Sequence, residues 1–228
     1  MSYDSKKVDP QLGRRIYNYL LEKGVETPIL NASHSFTEEE RNKKINAIKE
    51  HFKEIMELMN LDLSDDSLRD TPNRVAKMYV NEICWGLDPN KFPKCTVVEN
   101  KMGYENMVVE KDINVSSLCE HHFVAITGKA TVAYIPKNRV LGLSKMNRVV
   151  EYFSRRPQIQ ERLTEQIYHS LSYILGTDDV AVVIRADHMC VKTRGVEDTG
   201  SYTITSKLGG GFKDSGLRLE FMNIVNSR

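Results

Sequence analysis

Three residues define the chemistry that this sequence can be expected to perform: Cys119, His122 and Cys190. The first two belong to the run Cys-Glu-His-His, and the third follows His188 by two positions. Thiolate and imidazole groups are zinc ligands; a structural zinc normally has four protein ligands, whereas a catalytic zinc has three and keeps a position for water. Such a zinc lowers the pKa of its water to about 7. The three residues therefore predict a zinc site suited to hydrolysis.

The spare histidines and cysteines leave alternatives open. His121 and His188 lie beside the expected ligands and could move protons near neutral pH. A buried free cysteine is often only a small hydrophobic residue, and a single Cys-x-x-His spacing is a weak metal signal. If the site were structural, Cys84 or His121 could supply a fourth ligand. The protein would then be a zinc-stabilised binding module and not an enzyme.

Basic residues follow both expected metal segments. Ser144 is predicted to cap a helix that carries Lys145 and Arg148, and a helix start with free N–H groups and nearby cations can bind an anion. Lys192 and Arg194 come directly after Cys190 and add positive charge. An ordinary capped helix with exposed basic residues is the alternative. A metal beside several cations favours a substrate that bears phosphates.

Three further features are weaker signals of a binding site. Gln160 and Glu161 could bind the pyrimidine edge of a guanine, or Glu161 could simply be an acidic residue in the first turn of a helix. Arg74 and Lys77 share one side of a helix, which is more commonly a solvated face. The three glycines at 209–211 lack the spacing of a phosphate-binding loop and predict a flexible turn.

Composition narrows the class of protein. The 228 residues suffice for one large or two small domains, and the formal net charge of +1 at pH 7 gives no support for nucleic-acid binding. No stretch approaches the roughly 20 apolar residues that span a bilayer, and no apolar run follows the N-terminal charges. The four scattered cysteines favour reduced thiols. We therefore expect a cytoplasmic protein with no nucleic-acid or membrane partner.

The apolar spacing predicts a helical N-terminal region at 1–95 and a catalytic domain at 96–228. Expected helices have an apolar stripe at 12–23 that ends at Gly24, a stripe at 45–59 after an N-cap at Thr37, and an N-cap at Thr71 with an end at Gly86. A linker is expected at 28–35.

The second region changes to a strand period. Strands are expected at 96–99, 107–115, 123–135, 180–187 and 201–207, with a turn or bulge at 127–129. Two helices lie between them, one from Ser144 and one that ends at Gly176, and a short helix closes the chain. This order predicts an α+β fold, in which an antiparallel sheet has its helices on one face.

Five motifs in register make the chain resemble the GTP cyclohydrolase I family, from about residue 45 to the C-terminus. They begin at Thr71 (Thr-Pro-Asn-Arg-Val-Ala-Lys-Met-Tyr), Cys119 (Cys-Glu-His-His-Phe), Gly142 (Gly-Leu-Ser-Lys, with Arg148), Arg156 (Arg-Pro-Gln-Ile-Gln-Glu-Arg-Leu) and His188 (His-Met-Cys-Val-Lys-Thr-Arg-Gly). The resemblance implies a zinc enzyme that converts GTP and water to formate and 7,8-dihydroneopterin triphosphate, the first step towards tetrahydrofolate.

The resemblance also implies residue roles. One zinc per subunit would be bound by Cys119, His122 and Cys190, and zinc-activated water would attack C8 of guanine. His121 and His188 would transfer protons, and Ser144 would assist the later ribose rearrangement. The implied substrate contacts are the Glu161 carboxylate with backbone from Gln160 for the pyrimidine edge, and Lys77, Lys145, Arg148, Arg194 and Arg74 for the triphosphate.

At the level of architecture, the resemblance implies a tunnelling fold: an antiparallel sheet backed by two antiparallel helices. Subunits would form a decamer of two stacked pentamers, with active sites between subunits. Such an assembly would allow allosteric control. Another tunnelling-fold pterin or deazapurine enzyme is the nearest alternative, and the Cys-Glu-His-His run argues against it.

Overall fold

The computed structural model describes residues 7–30 and 37–227. Its helices are α1 (Pro10–Glu22), α2 (Glu38–Leu58), α3 (Thr71–Lys77), α4 (Ser144–Ser154), α5 (Gln160–Leu175), α6 (Met189–Lys192) and α7 (Ser215–Asn226). Its strands are β1 (Val97–Glu99), β2 (Val108–Cys119), β3 (Ala125–Tyr134), β4 (Arg139–Leu141), β5 (Pro157–Gln158), β6 (Val180–His188) and β7 (Thr203–Leu208).

Helix α1 forms where the sequence predicts it. Its N-cap Asp9 accepts a hydrogen bond from the backbone N–H of Leu12 at 2.9 Å, and a proline follows at the first helical position. Leu12, Ile16 and Leu20 are buried in the main hydrophobic core. Gly24 follows the helix with φ +69°, a conformation that glycine adopts without strain. The predicted apolar stripe and its end are confirmed.

Helix α2 begins with the predicted cap, but its apolar stripe is only partly buried. The Thr37 hydroxyl accepts from the N–H of Glu40, while the Glu40 carboxylate accepts from the N–H of Thr37, which is a capping box. Ile45 is buried, whereas Ile55 is 48% exposed and Met59 58% exposed. Residues 31–35 of the expected linker lie outside the described residues.

Helix α3 differs from its prediction at both ends. Thr71 is its first helical residue and Asp70 is the N-cap, because Asp70 already accepts the N–H of Arg74 at its backbone oxygen at 3.0 Å. The helix continues as a π-helical turn at Met78–Ile83. Gly86 lies after that turn, in a 3-10 turn, so it does not itself end the helix.

The main sheet has the strand order β5-β2-β3-β6-β7, and β1 pairs separately with β4. The β2–β3, β3–β6 and β6–β7 pairs are antiparallel, whereas the two-residue β5 pairs with β2 in parallel. The predicted antiparallel sheet is thus confirmed for its long strands. Strand β2 runs to Cys119 and does not end near Val115, because its pairing with β3 continues to Leu118 and its pairing with β5 includes Cys119.

The turn or bulge predicted at 127–129 is wrong. Gly128 lies inside the continuous strand β3, opposite Ala186 of β6. A Cβ atom at this glycine would be 2.6 Å from the Cα of Ala186, so the glycine permits close approach of two strands. The register shift lies in β2, between Glu110 and Ile113, where Asp112 has φ +57°.

Helices cover both faces of the sheet. Helices α4 and α5 pack on β2 and β6, and α5 ends at Gly176 in the left-handed conformation, as predicted. On the opposite face, Phe212 and Phe221 pack with Ala181. The expectation of helices on one face alone is therefore wrong for α7. The glycine run before α7 forms a 3-10 turn, in which the Gly211 N–H donates to Asp179 at 2.6 Å.

Helix α1 shares the core of the sheet domain, and it packs against α5. The division of the chain at residue 95 stays a prediction. Across residues 7–30 and 37–227, none of the helices combines the length and the apolar character needed to cross a membrane.

Candidate active site

The three expected metal ligands lie together. Cys119 is the last residue of β2, His122 lies in the turn that follows, and Cys190 lies in the short helix α6. One ligand atom from each of the three is within 4.8 Å of the other two. Residues separated by about seventy positions therefore meet at one end of the sheet.

A tight hairpin between β2 and β3 holds Cys119 and His122. The N–H of Cys119 donates to the carbonyl of Val124 at 2.8 Å, and the N–H of Phe123 donates to the carbonyl of Cys119 at 2.9 Å. Phe123 has φ +53°, an unusual conformation for a residue with a bulky side chain. The turn needs this conformation to reverse the chain directly after His122.

Strand pairing brings Cys190 to the hairpin. Strand β6 is antiparallel to β3, and His188 at its end is opposite Ile126 near the beginning of β3. Helix α6 begins one residue later, so Cys190 enters the space beside the hairpin. The sheet register therefore gathers the three ligands at one end of the sheet, although β3 lies between β2 and β6.

Burial and basic groups set the electrostatics of the cluster. Burial raises the pKa of the Cys190 thiol, and the neighbouring Cys119 raises it further. Arg194 contacts the site directly, since its Nη1 donates to Nε2 of His122 at 3.1 Å. In His188, burial lowers the pKa of the imidazole, while the charges of Glu161 and Asp187 act in the opposite direction.

The donor chemistry fits a zinc ion. Two sulfur atoms and one imidazole form the only three-ligand group of this kind among the described residues. The alternative fourth ligands lie outside the group: Cys84 lines an apolar cavity of about 500 Å³ between α2 and the π-helical turn, and burial raises the pKa of its thiol to about 11. His121 is exposed, and its nearest ionic partner is Glu120 at 3.9 Å. A three-ligand donor set is typical of catalytic zinc.

The helix start at Ser144 does not have the predicted cap. Leu143 has helical dihedral angles and is the N-cap, which makes Ser144 the first helical residue. The N–H of Lys145 donates to Gly142 at 2.8 Å, and that of Met146 donates to Leu143 at 3.2 Å. These two N–H groups are therefore not free for an anion. Ser144 itself is exposed.

The remaining candidates are positioned by different elements. Arg74 is exposed and forms an ion pair at 3.2 Å with Asp70, the N-cap of α3, and Lys77 is also exposed. Lys145 and Arg148 lie on α4, where both charges act on the half-buried Cys95 and lower the pKa of its thiol against the larger, raising effect of burial. The structure thus brings Arg194 to the metal cluster, whereas Arg74 has a partner on its own helix.

At the beginning of α5, Glu161 is exposed and Gln160 is fully buried. The side-chain oxygen of Gln160 lies 2.8 Å from Nε2 of His188. This contact places Gln160 directly against a proton-transfer candidate.

Comparison with known proteins identifies the family. A family model described as GTP cyclohydrolase I matches residues 48–226. The chain belongs to the GTP cyclohydrolase I family. Among curated relatives named GTP cyclohydrolase 1, that of Citrobacter koseri is 54% identical over 92% of this chain and 94% of its own length. The relative from Serratia proteamaculans is 56% identical, with 92% and 93% covered, and that from Tolumonas auensis is 54% identical, with 88% and 91% covered.

The structure of this family member contains contacts that sequence reasoning missed. Arg162 donates to Glu120 at 2.6 Å, which ties α5 to the residue between two site candidates. Both residues lie inside recognised motifs, and their opposite charges are a signal that could have suggested the pair. The contact of the Gln160 side chain with His188 had no such signal, because the two residues lie 28 positions apart.

Proposed function

We propose that this chain converts GTP and water to formate and 7,8-dihydroneopterin triphosphate, the entry step of pterin and tetrahydrofolate synthesis. The observation that carries the proposal is the three-ligand cluster of Cys119, His122 and Cys190 in a chain of this family. His121 and His188 lie one and two residues from these ligands in the sequence. The same family membership supports a tunnelling-fold architecture for the observed sheet and its helices.

The metal would be zinc, one ion per subunit, held by Cys119, His122 and Cys190. Zinc in such a site lowers the pKa of water and supplies hydroxide at neutral pH, in addition to polarising the substrate. Arg194 lies against His122 and adds positive charge next to the ligands, which suits an anionic substrate.

Two histidines would move the protons of the ring-opening steps. Addition of water at C8 of guanine and cleavage of the imidazole ring require a proton donor at the ring nitrogen and an acceptor for the proton of water. His121 is exposed and His188 is half-buried, and both lie within one or two residues of a metal ligand. Histidine can act as donor and acceptor in turn near neutral pH. Ser144 would assist the later rearrangement of the ribose.

The substrate would be held at its two ends. Glu161, with the backbone of Gln160, would accept the N–H groups of the pyrimidine edge. The cations proposed for the triphosphate are Arg74, Lys77, Lys145, Arg148 and Arg194. Binding the phosphates far from C8 would orient the reacting carbon.

These cations come from three separate parts of the chain, which favours a site built between subunits. We propose that the protein assembles as a decamer of two stacked pentamers, so that residues of neighbouring subunits complete each pocket. The assembly would also provide a route for allosteric control. The exposed apolar side chains near the end of α2, Ile55 and Leu58, would supply contact surface.

The activity is tested by incubating zinc-loaded protein with GTP and measuring formate together with pteridine fluorescence after oxidation. Both products are expected. Formate without the pteridine would contradict the complete reaction and indicate a hydrolase that stops after ring opening. Neither product, from an assembled and fully zinc-loaded protein, would refute the proposal and favour a zinc-stabilised binding module.

The ligand set is tested independently of turnover by measuring the bound zinc per chain. Cys190→Ser is expected to lose most of the zinc, because one of the three protein ligands is replaced by a weaker donor for zinc. Cys84→Ser is the matched control: this cysteine lies outside the cluster, and its zinc content should equal that of the wild type. Full zinc retention in Cys190→Ser would refute the ligand assignment.

A further inference from the structure

The side chain of Gln160 has an unusual set of neighbours for the first residue of a helix. It is 1% exposed, and its Nε2 atom lies 3.1 Å from the carbonyl of Ile184 in β6 and 3.2 Å from the carbonyl of Thr203 in β7. The same atom lies 3.1 Å from the hydroxyl of Thr205. The other end of the amide lies 2.8 Å from Nε2 of His188.

These neighbours determine which end of the amide carries the hydrogens. The carbonyls of Ile184 and Thr203 can only accept. The hydroxyl of Thr164 donates its hydrogen to the backbone carbonyl of Gln160 at 2.9 Å. In the 2.7 Å contact between the hydroxyls of Thr164 and Thr205, Thr164 must therefore be the acceptor. Thr205 therefore donates to Thr164 and can only accept from Gln160. All three neighbours at that end are acceptors, which requires the NH₂ group there.

The orientation of the amide in turn determines the tautomer of His188. With the NH₂ group facing the two strands, the oxygen of Gln160 faces Nε2 of His188. An amide oxygen accepts but cannot donate, so Nε2 must carry a hydrogen. In the neutral imidazole the lone pair is then on Nδ1. A reversed amide would place an oxygen against two buried carbonyls, which costs hydrogen bonds on both sides.

We propose that Gln160 is a positioning residue for His188: its buried amide holds the imidazole as the Nε2–H tautomer and leaves Nδ1 as the atom that takes up and returns the proton. The inference deepens the proposed function and rests on the proton-transfer role that it gives to His188. It is separate from the substrate contact proposed for Gln160, which uses the backbone.

The arrangement is well suited to repeated proton transfer. An imidazole that is free to change tautomer would present a protonated Nδ1 for part of the time and could not then act as a base at that atom. The amide is fixed by the carbonyls of Ile184 and Thr203 and by the hydroxyl of Thr205, so it cannot rotate to follow the ring. A buried acceptor that fixes the tautomer and the orientation of a histidine base is a known requirement of catalytic triads.

The test compares two buried glutamines of α5. Gln160→Met removes the amide and keeps an unbranched side chain and the backbone. Gln166→Met is the matched control, because Gln166 is also fully buried and donates to the carbonyl of Val25 at 3.0 Å, without contact to His188. The primary readout is solid-state ¹⁵N NMR of sedimented protein labelled at histidine, in which the His188 signals are identified by their loss in His188→Ala.

In samples at a pH that keeps His188 neutral, the expected result is hydrogen on Nε2 in the wild type and in Gln166→Met, and a mixture of both tautomers in Gln160→Met. A wild-type His188 with hydrogen on Nδ1 would overturn the inference. So would an unchanged Nε2–H tautomer in Gln160→Met, since the glutamine would then not determine it.

Kinetics with GTP provide the second readout. The kcat of Gln160→Met should fall by about tenfold or more, because the wrong tautomer removes part of the roughly 10²–10⁴-fold that general acid–base catalysis contributes, with a smaller change in KM. An unchanged kcat would overturn the positioning role. Failure of the proposed function is distinguishable: a wild-type protein that releases no formate, but shows the expected tautomers, would refute the reaction while the Gln160–His188 assignment stands.

Discussion

The buried ion pair between Glu26 and Arg156 offers the sharpest test of the energetics of this fold. Their side chains are 2% and 1% exposed, and Nη1 of Arg156 lies 2.8 Å from the Glu26 carboxylate. The guanidinium also contacts the rings of Tyr152 and Phe153 at 4.8 and 4.9 Å and donates to the carbonyl of Gly86. Glu26 lies outside the segment matched by the family model, so the pair ties the N-terminal segment to the sheet.

Removal of each partner should have a different cost. Glu26→Leu leaves a guanidinium that cannot lose its proton in a buried site, and we expect a loss of about 3–5 kcal/mol in the free energy of unfolding. Arg156→Met should cost less, because burial already raises the pKa of Glu26 and the carboxyl can become neutral. The double variant should recover much of the loss, since no charge remains buried without a partner.

The assay is scanning calorimetry at one fixed protein concentration, because the proposed assembly would make the midpoint concentration-dependent. For a chain of this length each 1 kcal/mol corresponds to about 2–4 °C, so Glu26→Leu should lower the midpoint by about 6–20 °C. A shift below about 3 °C would contradict the predicted size. A double variant whose shift equals the sum of the two single shifts would refute the argument, because the two charges would then act independently.

Two further predictions concern the sheet and α5. Gly128→Ala should lower the free energy of unfolding by about 1–3 kcal/mol, because its Cβ would meet the backbone of β6 at 2.6 Å; Gly200→Ala, whose Cβ meets nothing closer than 3.6 Å, should change it by less than about 0.5 kcal/mol, and equal midpoints for both would contradict this account. Burial lowers the pKa of His169 more than Glu165 at 3.3 Å raises it, so the stability from this histidine should be present above about pH 6.5 and be lost as the pH falls through its lowered pKa. His169→Gln should therefore show a smaller drop in thermal midpoint on acidification than the wild type, and an equal or larger drop would count against the assignment.

Local signals in the sequence were sufficient for most helices and their ends. The capping box at Thr37 and the left-handed conformation of Gly176 depend on contacts within four residues. Such helix ends can therefore be predicted from the local sequence. The stripe of α2 was also recognised, but the pattern could not show that Ile55 and Met59 remain exposed in the single chain. Burial depends on what packs against a helix, and that information lies elsewhere in the chain.

Predictions failed where a residue serves a partner distant in sequence. Gly128 was expected to break its strand, yet it is required by the backbone of β6, nearly sixty residues later. Cys119, His122 and Cys190 could be named from residue type and spacing, and the structure brings them together. The contacts of Arg194 with His122 and of Gln160 with His188 could not be foreseen, because they depend on strand register and on the start of α5.

The second face of the sheet has a consequence for the order of folding and assembly. Along β2, Ile113 and Val115 face the core, while Asn114 and Ser116 are exposed, and Asn114 accepts a hydrogen bond from Lys129 of β3 at 2.6 Å. In β6, Arg185 lies over the ring of Tyr202 at 3.7 Å. Because this part of the face is polar and its side chains bond to one another, water can remain against it. A single chain can therefore complete its sheet without a partner, and in the proposed decamer the subunits would associate after their sheets have formed.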